Sequence, residues 1–148
     1  MISNPTNKLL GGFCKVTFIR ASKNTCWCLL GCSIGDFGTI FFFQITQFDL
    51  STILIMSLAI MNGIITSIAL ETFILSRQMR LSEAFKVASG MSLISMVAME
   101  LSMNITDIII TGGAILTLSV IPIMLLSGFI APLPYNYWRL KVLNKGCH

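Results

Sequence analysis

The chain has 148 residues, of which 55% are hydrophobic and only 11% charged, and its mean hydropathy is +0.84. Soluble domains average about 25% charged residues, so this chain lacks the polar surface to coat a globule. The composition excludes a soluble single domain, a disordered chain, a nucleic-acid-binding domain and a secreted disulfide scaffold.

The net charge of +4 is less informative than its placement. Lys8, Lys15, Arg20 and Lys23 form one cluster, Arg77, Arg80 and Lys86 a second, and Arg139, Lys141 and Lys145 a third. Long apolar stretches part them, which is the pattern that sets membrane topology.

In chain order, residues 1–24 read as a cytoplasmic N-terminal segment containing Pro5, Gly11 and Gly12, with a weak interfacial-helix pattern over Leu9–Ile19. Residues 25–131 read as four transmembrane helices, at about 25–48, 51–75, 83–104 and 108–130. Each is long enough for the roughly 20 residues a span requires. Leu29-Leu30-Gly31-Cys32 has the outline of a lipoprotein cleavage box. Lys23 stands too close upstream for a proper apolar leader, so an uncleaved span is expected.

Asp49 or Ser51 is expected to cap the second helix, and Asn104–Asp107 to form a turn. Pro122 is expected to bend the fourth helix, and Pro132 and Pro134 to end it. Residues 132–148 read as a cytoplasmic tail in which Tyr135, Asn136, Tyr137, Trp138 and Arg139 form an interfacial motif. The expected fold is therefore an all-α integral membrane four-helix bundle with short outer turns. All ten Lys and Arg fall on one side of it, with Asp49 and Asp107 in the opposite turns. Both termini are expected in the cytoplasm, and the location in the cytoplasmic membrane.

Several local motifs stand out. They are Gly31-Cys32-Ser33-Ile34-Gly35-Asp36, Asn62-Gly63-Ile64-Ile65-Thr66-Ser67, Ser95-Met96-Val97-Ala98-Met99-Glu100 and Thr111-Gly112-Gly113. Pro134-Tyr135-Asn136-Tyr137-Trp138-Arg139-Leu140-Lys141 follows, with a final Gly146-Cys147-His148. Together, over about residues 26–148, they resemble the family called domain of unknown function 4396. Its members are small multi-helix membrane proteins with a GC(T/S)IGD-like motif early and a PYNYWRLK…CH-like end. The resemblance implies the helical membrane fold and brings no activity.

Four groups of residues carry the chemistry. Gly31 and Gly35 make a small-xxx-small face for close helix approach. Cys28, Cys32 and Asp36 follow at steps of four on one stripe. Buried acids form the second group. A charged carboxylate at mid-span costs about 2.5–3.5 kcal/mol, so Asp36, Glu71 and Glu100 must be paired, protonated or turned to a cavity. Counting rise per residue puts Asp36 at roughly 18 Å depth and Glu100 at roughly 20 Å. Asn62 and Thr117 come near the same level, so a polar layer of Asp36, Asn62 and Glu100 is expected, flanked by Glu71 and Asp107.

Third, Met96, Met99 and Met103 share a helix face with Glu100. Thioethers and thiolates are soft donors that select Cu(I), although Met also fills apolar cores. Fourth, Cys147 and His148 join a thiol and an imidazole in the tail, on the same side as Cys26 and Cys28. With Cys28 and Cys32 they compose a donor set for Cu(I) or Zn(II).

His148 is the only histidine, and no P-loop, dinucleotide fingerprint or zinc-protease motif occurs. No enzyme is expected. The leading reading is a membrane protein that binds or moves a soft metal ion such as Cu(I). The alternatives are a structural or assembly subunit of a larger membrane complex, and a proton-coupled transporter that would need a homo-oligomer. The partners expected are the lipid bilayer and other membrane chains, not nucleic acid.

Overall fold

The computed structural model describes residues 15–142, apart from the side chains at 91 and 92. Among them there are helices and no strand: α1 (Lys15–Thr46), α2 (Thr52–Leu75), α3 (Leu81–Thr111), α4 (Ile121–Ile130) and α5 (Leu133–Val142). Three stretches are long and apolar enough to cross a membrane, namely α1, α2 and Leu93–Thr111 within α3. Their large side chains point outward, as lipid allows: Ile53 is 80% exposed and Ile109 76%.

The first helix already includes Lys15, the first described residue, well before the expected 25. Its early turns are not a separate segment, because α5 packs against them. Thr17, Ala21 and Thr25 are buried there, and the Phe18 and Tyr137 rings meet edge to face at 6.3 Å. The rest of the expected Leu9–Ile19 interfacial helix lies outside the described residues.

Ser51 does occupy the N-cap of α2, but its side chain makes no capping hydrogen bond. The expected turn at Asn104–Asp107 is corrected: α3 runs straight through it to Thr111. The polar side chains there bond within the helix and across it instead of breaking it. Asn104 Nδ2 donates to the Glu100 carbonyl at 3.0 Å, and Thr111 Oγ1 donates to the Asp107 carboxylate at 3.0 Å. The actual stop is Gly112, whose φ of 76° lies in the left-handed region while its N–H bonds to the Ile108 carbonyl.

The fourth expected span, 108–130, is not one continuous helix. Residues 112–120 are non-helical and only Ile121–Ile130 forms α4. Pro122 sits in the first turn of α4, where its missing N–H costs nothing, so it begins the helix and does not bend it. Side chains satisfy the freed amides of the irregular segment. Ile115 N–H donates to Asp107 Oδ2 at 3.3 Å, and Leu116 N–H donates to Gln44 Oε1 at 3.1 Å. Pro132 interrupts the helix, which resumes as α5. Among the described residues there are thus five helices, the fifth within the expected tail.

α5 is pinned through one amide. Asn136 is buried at 7% exposure; its Nδ2 donates to Thr25 Oγ1 at 2.8 Å, and its Oδ1 accepts from Ser95. Asn136→Ala would strand the buried Ser95 hydroxyl on α3 and remove a donor from Thr25 on α1, whose hydroxyl keeps its bond to the Ala21 carbonyl at 2.8 Å. Its expected cost is about 2 kcal/mol, read as a lower unfolding midpoint in mild detergent.

Candidate functional site

The site grows from a tight α1–α2 seam. A Cβ added at Gly31 would lie 2.6 Å from Ser67 Cα, and one at Gly35 would lie 2.4 Å from the Asn62 carbonyl oxygen. Hydrogen bonds lock this approach: Thr66 Oγ1 donates to the Gly31 carbonyl at 2.7 Å, and Ser67 Oγ donates to the Cys28 carbonyl at 3.2 Å. On α2, Ser67 answers Gly31, the Asn62 backbone and Thr66 answer Gly35, and Gly63 lies against the Cys32 carbonyl.

Closing this seam turns the stripe of Cys28, Cys32 and Asp36 inward, and all three are buried. The Cys28 Sγ lies 3.4 Å from Ser67 Oγ. Facing them from α3 are Met96, Met99 and Met103, with Met124 from α4. These side chains form one buried cluster together with Val120. Partly buried Leu29, Phe37, Ile64, Ile68 and Leu116 pack around it. The interior of this protein is therefore sulfur-rich, with six sulfur-bearing side chains in one cluster.

Glu100 enters the same region with its carboxylate fully buried. A Cβ at Gly63 would lie 1.8 Å from Glu100 Oε1, so only glycine leaves room for it. Neither carboxylate oxygen finds a hydrogen-bond partner. Asp36 Oδ1 accepts from Asn104 Nδ2 at 3.1 Å, while Asp36 Oδ2 and Asn104 Oδ1 have no partner. Buried polar groups are nearly always bonded in folded proteins. Four buried, unpartnered oxygens on Asp36, Glu100 and Asn104 therefore carry a desolvation cost that no described residue offsets.

Not every expected residue joins. Asn62 points out of the layer, where it is exposed and donates to Thr39 Oγ1 at 2.8 Å. Asn104 takes the place expected for it beside Asp36. Thr117 is exposed in the non-helical segment. Glu71 is half-buried beside Asn24 and Trp27 at a separate small cavity. Asp107 is buried but serves the 112–120 segment. Of the tail motif, Asn136 is the buried member. Tyr135 stacks near Trp138 at 6.3 Å, Trp138 is exposed, and Arg139 is partly exposed. Cys147 and His148 lie outside the described residues. Among the described residues no three His, Cys, Asp or Glu side chains gather closely enough to hold a metal ion. A soft-cation site here would have to draw on thioethers as well as thiols.

A family model described as Domain of unknown function (DUF4396) matches residues 17–145 of the chain. No curated relative and no solved structure matches it.

Proposed function

Because the chain belongs to the DUF4396 family, whose function is unknown, we propose its activity from the site alone: a membrane protein that binds a soft monovalent cation, Cu(I), in its sulfur core. One observation carries this reading. Cys28, Cys32, Met96, Met99, Met103 and Met124 share a single buried cluster, and the unpartnered Glu100 carboxylate stands next to it. Thiolate and thioether donors favour Cu(I) over hard cations. A cation in an apolar interior is stable only beside a counter-charge, which Glu100 and the thiols supply.

The basic residues support an orientation as well. Lys15, Arg20 and Lys23 early in α1, the α2–α3 turn, and Arg139 and Lys141 in α5 would face the cytoplasm with both termini, since cytoplasmic flanks carry the excess of Lys and Arg.

The test is copper content after loading the purified protein with Cu(I) under reducing conditions and desalting. Wild type and Cys147→Ser are expected to retain copper stoichiometrically. Cys28→Ser/Cys32→Ser is expected to lose affinity by about tenfold or more. Equal copper in wild type and the double variant would end the proposal.

A second reading, proton-coupled transport of a small solute, draws on the unpartnered oxygens of Asp36, Glu100 and Asn104. It gains ground if the protein binds no copper and its proteoliposomes carry a proton flux that Glu100→Gln abolishes.

A further inference from the structure

We infer that the cleft between α2 and the start of α3 is a binding site for one anionic phospholipid. The inference does not rest on copper binding: Ile68 lines the cleft and packs against the sulfur core, but no sulfur-bearing residue lines the cleft.

The cleft has a volume of ≈ 500 Å³. Ile65, Ala69, Phe73, Leu81 and Phe85 form its apolar walls. These walls are open to the surroundings: Ile65 and Phe73 are each 59% exposed. From Ile65 to Ser76 the wall rises about 16 Å at helical pitch. One leaflet of a bilayer has a hydrocarbon depth of about 15 Å, so the cleft matches most of one acyl chain.

Polar groups gather at one end of the cleft only. Thr72 lines it, is buried to 9% exposure, and its Oγ1 has no hydrogen-bond partner. That hydroxyl is closed off from the cleft, so the polarity of this end comes from Ser76 and the turn beyond it. Ser76, one turn nearer the end, already donates to the Phe73 carbonyl at 2.8 Å.

Just past Ser76 comes the α2–α3 turn with Arg77 and Arg80. Neither forms an ion pair among the described residues; the Arg77 guanidinium lies over the Phe73 ring at 5.3 Å, at the rim of the cleft. Arg80 is the N-cap of α3, and no side chain caps that helix start. The positive end of the α3 dipole therefore adds to the two guanidinium groups. Glu83 is the one acid in the first turn of α3, and Lys86 follows it, so the mouth stays net positive.

From the bilayer's middle outward, the order is an apolar channel, then two arginines with a helix N-terminus. A phospholipid presents the complementary order: acyl chain, then phosphate. A zwitterionic headgroup would bring a cation to Arg77 and Arg80, whereas an anionic one brings none. Charge complementarity thus selects phosphatidylglycerol over phosphatidylcholine.

The experiment is native mass spectrometry of the purified full chain in detergent, titrated with phosphatidylglycerol or phosphatidylcholine. One phosphatidylglycerol is expected to stay bound per chain, with phosphatidylcholine held about tenfold more weakly. Arg77→Gln/Arg80→Gln is expected to lower phosphatidylglycerol affinity by about tenfold or more. Ala69→Phe, which fills the cleft and leaves both arginines in place, is expected to displace the lipid equally. Equal retention of the two lipids by wild type would overturn the inference. So would unchanged phosphatidylglycerol binding in both variants, or a dimer of this chain that Ala69→Phe dissociates with no lipid bound. Copper retention in these variants stays at the wild-type level whichever way the lipid result falls.

Discussion

Gly35→Ala is expected to separate α1 from α2 and to lower stability by about 3 kcal/mol, the upper end of the usual overpacking cost. The added methyl would stand 2.4 Å from the Asn62 carbonyl oxygen, 2.5 Å from its carbon and 2.4 Å from Thr66 Oγ1. Two of those three atoms are backbone, so no rotamer change relieves the clash. α2 cannot yield locally either, because Gly31 against Ser67 and the Thr66-to-Gly31 hydrogen bond hold the same seam one turn away. The helices must move apart as rigid bodies and lose the contacts that close approach supplied. Gly38→Ala is the matched control. It adds a methyl with no neighbour within 4 Å, so a gain of up to about 1 kcal/mol in helix propensity is expected. Unfolding in mild detergent, followed by far-ultraviolet circular dichroism, reads both. Equal midpoints for Gly35→Ala and wild type would disprove the tight seam.

Glu100→Met should move stability and copper binding in opposite directions. Both carboxylate oxygens are buried without a hydrogen-bond partner, a burden of about 1–3 kcal/mol. A flexible thioether of similar length removes that burden and fits irregular space. The variant is therefore expected to unfold about 1–3 kcal/mol later than wild type. Its copper retention is expected to fall, because the counter-charge beside the sulfur cluster is gone. Such a trade of function against stability is what a group kept for binding produces. A purely structural Glu100 gives the other pattern, with lower stability and unchanged copper.

Much of the interior is legible in the sequence. The step of four from Cys28 through Cys32 to Asp36 put them on one stripe, and that stripe is buried. Counting rise per residue placed Glu100 and Asp36 at one level, and the structure brings their helices together there. Met96, Met99 and Met103 were read as one face, and they line one cluster. The break after α3 was not read. Apolar composition continues through residues 112–120, so hydropathy sees a span where the backbone leaves the helix. Gly112 was the available signal, since a glycine after an apolar helix is a common left-handed cap.

The sequence by itself determined the helical, apolar character of the chain, the level of Asp36, Asn62 and Glu100 along their helices, and the sorting of its cations. These follow from composition and from a fixed rise per residue, which need no neighbour. Only the tertiary structure decided how each helix is rotated about its axis. Asn62 and Asn104 illustrate the difference. Asn62 shares the level of Asp36, yet the Gly31–Ser67 and Gly35–Asn62 contacts rotate its side chain outward to Thr39. Asn104, expected in a turn, is the amide that reaches Asp36. Rotation depends on which small residues let two backbones touch, and that is a property of the pair of helices, not of either one alone.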